Sequence, residues 1–503
     1  MQNLPVLVVI IPLFGGILAP FAGRGWLPWA WATLVTWTNL AVAVLLVQEV
    51  SRAPNNQVPY NLSWWPAEYG IGLLVDPLNA YVILVVSLIA AVVTFYARLS
   101  VDDEIPKDRH HFFYAVWLLA ICGLVGITVT GDTFNIYVLL EISSLTVYAL
   151  VAMGKYRNRR ALTASLKYLI LGSIGATFIL TGIGYLLMLT GTLNMADMHE
   201  QLMAMKARGE IAGNRTVLVS FAFVGVGLAL KMAMFPLHTW LPNAYTYAPS
   251  SVSALVASTA TKVGVYMAFR FVFTIYGGVY DRTDTLMLLT LCASAGILFS
   301  ATTAAQETNV KKVLAYSSVG QLAYIIAGFS LANPTGVAAS VIHIFNHAVI
   351  KGGMFMAVGC VVLQVGGCSL RHFKGLSKVM PVTSAAFLVG GIGLIGMPLT
   401  AGFISKWYLI QGALAEGYWW LAFVVLVGSL LAIIYVWRVV EAMYFSDFDP
   451  ELADHMKEVK EAPPSMLLPT WTLIGMSIYF GINASQTGEL AETAARILLG
   501  GNV

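Results

Sequence analysis

Seven residues that carry or exchange protons sit where a chain of this kind can least accommodate them. Glu141, Lys231, Lys262, Lys351 and Lys406 each lie inside a long apolar run, and His343 and His347 lie in the same run as Lys351. A charge at the centre of a bilayer costs roughly 2.5–3.5 kcal/mol on insertion scales, so five of them left unpaired would cost on the order of 12–17 kcal/mol. Such residues face a polar interior and mark ion or proton pathways. The chemistry on offer is proton transfer: a desolvated amine gives up its proton more readily than one in water. His343, His347 and Lys351 recur at intervals of four, which places them on one side of a helix as a slanted stripe. Two histidines at that spacing could hold a metal. However, the intervening Glu of a zinc-helix motif is missing and no third ligand is evident, so the stripe reads as a proton relay.

The elements that must position these groups are membrane helices. Of 503 residues, 58% are hydrophobic and only 11% charged, against about 25% charged in an average soluble protein. The mean hydropathy is +0.77. A soluble globule this poor in charge could not cover its surface, and the same numbers exclude disorder, collagen and coiled coils. The net charge of +3 is too balanced for nucleic-acid binding. Four scattered cysteines, with no CxxC pair, indicate neither an iron–sulfur nor a zinc site. No P-loop or dinucleotide fingerprint is present, and the two longest hydrophilic stretches, about 191–215 and 446–464, are too short to hold a nucleotide or redox domain. The first apolar run lacks the basic start and cleavage site of a secretory signal and reads as a retained helix.

At about 20 apolar residues per span, the chain is predicted to be an all-α polytopic membrane protein with about 14 transmembrane helices. The expected spans are 4–22, 29–50, 71–97, 112–130, 132–153, 162–189, 216–236, 249–276, 285–304, 311–331, 334–364, 382–413, 418–445 and 465–484. Loops after odd-numbered spans carry 15 Lys or Arg, among them Arg98, Arg157, Lys311 and Lys374; loops after even-numbered spans carry 5: Arg52, Lys206, Arg208, Arg215 and Arg282. Basic loops stay cytoplasmic, so a cell (inner) membrane location with both termini outside the cytoplasm is expected. Lys167, Arg270, Arg438 and Glu441, near span ends, are expected to snorkel to the interface. Trp64, Trp65, Trp419 and Trp420 are expected to anchor there.

Two segments resemble each other. Aligning the pair Ser143–Ser144 with Ser317–Ser318 sets an offset of 174, and Lys231 and Lys406 are 175 apart. Each of these lysines belongs to an apolar run broken by proline, Pro236 in one and Pro398 in the other. Five spans separate the copies, so they face opposite ways. This predicts two inverted five-helix repeats, each with a broken helix, the arrangement that marks transporter sites. The resulting division is 1–111, N-terminal helices; 112–276, first repeat; 277–445, second repeat; and 446–503, a loop and a last helix.

The runs Phe134-Asn-Ile-Tyr-Val-Leu-Leu-Glu141, Lys231-Met-Ala-Met-Phe-Pro-Leu-His-Thr-Trp-Leu-Pro-Asn-Ala-Tyr245, Lys262-Val-Gly-Val-Tyr266 and His343-Ile-Phe-Asn-His347-Ala-Val-Ile-Lys351 resemble the antiporter-like proton-pumping subunits of respiratory complex I, membrane-bound hydrogenases and Mrp-type multisubunit sodium/proton antiporters. The resemblance covers nearly the whole chain and is strongest to the D-type branch of the Mrp-type antiporters. The complex I member of similar length typically carries Glu at the position of Lys406. The resemblance implies a charged pair of Glu141 with Lys231, a connecting Lys262, an axis of His343, His347 and Lys351, and Lys406 in a second half-channel. It also implies a non-enzymatic transporter subunit without a cofactor. Its partners would be other membrane subunits, and its substrates protons and sodium. A pumping subunit of a complex I-like oxidoreductase or of a membrane-bound hydrogenase is the alternative.

If the histidine stripe is a relay, elemental analysis of the purified complex finds no stoichiometric zinc. Zinc present at one equivalent and lost on His347→Ala would replace the relay with a metal site.

Overall fold

In lipid every backbone N–H and C=O must be satisfied within its own segment, which leaves long apolar runs little choice but helix. The computed structural model describes residues 3–62, 70–279 and 283–500; Trp64, Trp65 and Arg282 therefore lie outside the described residues. The helices are α1 (Leu4–Leu18), α2 (Leu27–Arg52), α3 (Pro77–Glu104), α4 (His110–Val129), α5 (Thr133–Ala152), α6 (Arg160–Thr190), α7 (Met195–Ala207), α8 (Arg215–Lys231), α9 (Leu241–Tyr247), α10 (Ser250–Ser258) and α11 (Ala260–Phe269). They continue with α12 (Thr283–Gln306), α13 (Val310–Ser330), α14 (Pro334–Val365), α15 (Pro381–Ile395), α16 (Ala401–Ala415), α17 (Trp419–Phe445), α18 (Ala453–Glu458), α19 (Pro464–Ile482) and α20 (Ser485–Leu498). Strands β1 (Val58–Asn61) and β2 (Gly72–Val75) form an antiparallel hairpin pairing Val58 with Val75.

Twelve of the fourteen expected spans coincide with a helical span long and apolar enough to cross a membrane. The other two, 216–236 and 382–413, contain no single helix of that length. The second is two shorter helices, α15 and α16, joined by a non-helical turn around 396–400; the first holds α8 and the start of a non-helical turn at 232–240, with α9 beginning beyond its expected end. The reason is local. Pro236 and Pro398 cannot donate the backbone bond a helix requires, and each turn also holds a non-glycine residue with left-handed backbone, Ala233 at φ 52° and Leu399 at φ 70°. Left-handed backbone of this kind is uncommon away from glycine and disfavoured by contact between Cβ and the carbonyl.

The two halves share a device as well as a break. Asp132 caps α5 by accepting from Asn135 N at 2.6 Å and forms an isolated bridge with Asn194. Asn309 caps α13 by accepting from Lys312 N at 3.2 Å and bridges Ser369. The second pair follows the first by 177 and 175 residues, the spacing of the repeat. The first bridge lies beside the β-hairpin, through Leu73 and Thr130; the second lies beside Ala248, whose carbonyl accepts from Lys311 Nζ at 3.2 Å.

The centre is built from α13, α14 and the continuous α10–α11 span, buried over almost their whole length, with α3 and α4 beside them. Around them α2, α6, α12 and α17 bury less than half of their residues and present Leu, Ile and Phe outward. Close helix approach uses small residues, as in other membrane bundles. One such contact positions the site: a Cβ on Gly402 would stand 2.0 Å from the Gly393 carbonyl oxygen, so only glycine lets α16 fold back against the end of α15. Gly402→Ala is expected to force the two half-helices apart and cost about 1–3 kcal/mol as overpacking does, read as a lowered Tm of the purified complex; an unchanged Tm would show that the turn relaxes freely.

Candidate functional site

Two of the buried lysines, Lys406 and Lys262, find carbonyls where a helix ends or departs from regularity, and the other two bond groups within α5 and α13. Helix termini leave carbonyls without intrahelical partners, and a cation is favoured there. Lys231 is the last residue of α8, and its Nζ donates to Ser144 Oγ on α5 at 2.9 Å. Lys406 reaches back from α16 to the final carbonyls of α15, Leu394 at 3.3 Å and Ile395 at 2.8 Å, and donates to Ser429 Oγ at 3.1 Å. Its amine lies 4.7 Å from the centre of the Tyr324 ring, a cation–π distance. Between α10 and α11 the backbone departs from helix at Thr259 (φ −124°, ψ −59°), and Lys262 Nζ donates to the Ala257 carbonyl there. Lys351 Nζ donates to the Leu314 carbonyl at 3.0 Å and to Ser317 Oγ, both on α13. Lys262 and Lys351 are fully buried, and Lys406 nearly so.

Among the described residues, none of the four amines has a carboxylate within ion-pair distance. The expected contact between Glu141 and Lys231 is therefore not a direct pair here. Ser144, one turn beyond Glu141 on α5, takes the amine, and Glu141 Oε1 is buried with no protein partner. Lys231, Ser143, Ser144, Tyr168 and Gly264 line a cavity that leaves about 20 Å³ for water centres, enough for about one molecule. The cavity brings α5, α8 and α11 together at the first half of the axis.

The histidines continue the line. His343 lies between Ser405 Oγ, 2.7 Å from Nδ1, and Gln321 Oε1, 3.0 Å from Nε2. Its ring stacks on His347 at 6.0 Å between centroids. Both nitrogens of His347 are buried without a protein partner, and Lys262 and Lys351 are within electrostatic range of that ring. Asn346 Nδ2 donates to Ser405 Oγ at 3.2 Å, tying α14 to α16 beside Lys406. All seven sequence-derived residues thus fall along one interior band from α5 to α16.

Ser144 and Ser317 mark the repeat in the sequence, but their bonds to lysines, 87 and 34 residues away, are not evident there. Gln321, Ser405 and Ser429 were not singled out; they are uncharged and common, and their partnership depends on contacts 22–62 residues away. Arg270 differs from its expected role. Instead of snorkelling, it is buried, with Nη2 2.6 Å from Asp76 Oδ1. Arg438 does reach a helix end, donating to the Ala305 carbonyl at the close of α12. Lys167 and Glu441 are exposed. Glu104, beyond the expected third span, is buried and accepts from Ser250 N at 2.9 and 3.1 Å, capping α10.

A family profile described as "NADH:quinone oxidoreductase/Mrp antiporter, TM" matches residues 130–432. The chain is 38% identical over 483 residues to the N-type subunit of an NADH-quinone oxidoreductase of Desulforudis audaxviator, covering 94% of each chain. It is 29% identical over 500 residues to the D-type subunit of a Na(+)/H(+) antiporter of Bacillus subtilis, covering 99% of this chain and 98% of the relative. Among solved structures it superposes on a chain of the membrane-bound sulfane sulfur reductase, an archaeal respiratory membrane complex, with TM-score 0.89 and 28% identity, covering 99% of this chain and 98% of that one. It superposes on a chain of the Mrp complex from Dietzia sp. DQ12-45-1b with TM-score 0.88 and 25% identity, covering 99% and 97%.

Lys406→Ala removes the side chain that both caps α15 and faces Tyr324. We expect the complex to assemble and pH-gradient-driven exchange in vesicles to be abolished; exchange at the normal rate would remove Lys406 from the pathway.

Proposed function

The chain belongs to the NADH:quinone oxidoreductase/Mrp antiporter family, and on that premise we propose that it is the proton-translocating membrane subunit of a multisubunit monovalent cation (sodium)/proton antiporter. The observation that carries this reading is the row of four interior lysines bonded to carbonyls and hydroxyls. An ammonium locked to a carboxylate keeps its proton. One held by neutral acceptors is free to pass it on when a neighbouring charge changes. Glu141 supplies the neighbouring charge in the first half, and His343 and His347 bridge to Lys406 in the second. The division into 112–276 and 277–445 follows from the matched breaks and matched bridges. Protons pass between the halves through Lys262.

No redox or hydrolytic step belongs to this chain, and its partners are other membrane subunits. The 15-to-5 excess of basic residues supports a cytoplasmic face made by the loops after α1, α3, α5, α9, α12, α14 and α17, with both termini on the other side of the cell membrane.

A second reading has a specific observation in its favour. A relative 38% identical over 94% of the chain is named for a NADH-quinone oxidoreductase, which fits a pumping subunit of a redox complex. The subunit composition of the purified complex separates the two: iron–sulfur and quinone-site subunits for the redox complex, small membrane subunits alone for the antiporter.

The test of the proton role is Lys231→Arg. Arginine keeps a positive charge but stays protonated in proteins. We expect normal assembly and loss of exchange, while Glu141→Asp, which keeps the carboxylate one methylene shorter, retains partial activity. Wild-type exchange by Lys231→Arg would mean that the charge serves as a fixed partner and not as a proton carrier.

A further inference from the structure

The polar face of the α10–α11 span differs between its two ends. Ser251, Ser258, Lys262, Tyr266 and Arg270 follow at intervals of seven, four, four and four, so they share one side of the helix. Lys262 is in the middle, and Arg270 lies about 12 Å further along at 1.5 Å per residue. Toward the Glu104 end, the hydroxyls of Ser251 and Ser258 are fully buried and have no protein partner among the described residues. Buried hydroxyls of this kind are normally satisfied by internal water.

Toward the hairpin end every group is saturated. Tyr266 Oη accepts from Arg270 Nε at 3.0 Å and from Asn79 Nδ2 at 3.1 Å, and donates to the Thr128 carbonyl at 3.2 Å. Both lone pairs and the proton of that hydroxyl are thereby engaged. Arg270 is fixed in turn by Asp76 at 2.6 Å and by Asn79 Oδ1. Asp76 is itself the cap of α3, accepting from Asn79 N at 3.0 Å. The helix switches to a π-turn at Arg270–Ile275, an irregularity that often marks a functional position. The lysine–histidine axis uses none of these residues.

We propose that the Arg270–Asp76 pair, with the Tyr266 hydroxyl it saturates, is a proton seal that closes the hairpin end of this face, so that Lys262 exchanges protons with the axis and not with the far side. A tyrosine hydroxyl one turn from an exchanging lysine would otherwise extend the relay. Saturation denies it a site for an incoming proton, and a guanidinium, effectively always charged, neither accepts a proton nor tolerates one nearby. A fixed arginine excludes protons from aqueous pores on the same principle. The seal rests on the proposed proton role of Lys262 and gives that role a direction.

The experiment uses the assembled complex in liposomes carrying a pH-sensitive dye, with decay of an imposed pH gradient followed in the absence of sodium. Asp76→Asn leaves a competent helix cap and removes the counter-charge. Arg270→Gln removes the fixed cation and frees a lone pair on the Tyr266 hydroxyl. Each is expected to speed the sodium-independent decay about tenfold, corresponding to about 1.4 kcal/mol of barrier. Adding Lys262→Met to either is expected to restore wild-type tightness, because the leak runs through that amine. Assembled variants as tight as wild type would overturn the seal. So would a leak that persists after Lys262→Met, since it would then arise from loosened packing. Failure of the wild-type complex to move protons with sodium would overturn the antiporter reading, and the sodium-free decay would still decide the seal.

Discussion

An ammonium group in a membrane protein's interior must be given oxygen atoms, and these come most readily from helix ends and breaks, from side-chain hydroxyls, or from the second lone pair of a helix carbonyl. This constraint organises the structure. Each interior lysine obtains its acceptors from a place where regular helix stops or a hydroxyl intervenes: Lys406 from the end of α15, Lys262 from the irregularity at Thr259, Lys351 from Leu314 and Ser317, and Lys231 from Ser144. The proline breaks at 236 and 398 and the glycine contact of Gly402 on Gly393 follow from the same need. They let a half-helix end in mid-membrane with its carbonyls turned inward, at a cost that lipid-facing backbone could not bear.

Acidic groups follow the complementary rule. Glu104 accepts from Ser250 N at the start of α10, and Glu461 accepts from Val382 N at 2.7 Å at the start of α15. These carboxylates stand at helix starts, and the Lys406 amine stands at a helix end, as the orientation of backbone dipoles favours. Glu141 departs from the rule. It lies within α5, and its Oε1 has no protein partner. In the proposed function this is the carboxylate placed to interact with Lys231.

The sequence made the charged residues legible because a charge within an apolar run is conspicuous at any register, and all seven fall on the interior band. The helical spans were equally legible, since apolar length alone defines them. Two of the fourteen are broken, as the prolines at 236 and 398 indicate from the sequence: each removes a backbone donor, a signal that stands beside apolar length. Ser405, Ser429 and Gln321 were illegible for a different reason. A serine in a membrane helix usually bonds its own backbone, as Ser318 does with Leu314 O at 2.9 Å, so nothing in its type or spacing separates it from Ser405 or Ser429. Arg270 was assigned to the interface because it lies near a span end; its partner Asp76 is 194 residues away, across the bundle.

That long-range pair clarifies what the interior charges have in common. Arg270 and the four lysines are all cations in low dielectric, yet of these five only Arg270 is matched with a carboxylate among the described residues. Matching offsets part of the cost of burial and also fixes the charge, because breaking a buried pair leaves an uncompensated ion. A fixed charge suits a boundary and does not suit a carrier. The lysines are left with neutral acceptors, so either protonation state leaves a tolerable arrangement behind. The division between paired arginine and unpaired lysine therefore separates the part of the interior that must hold its charge from the part that must exchange it.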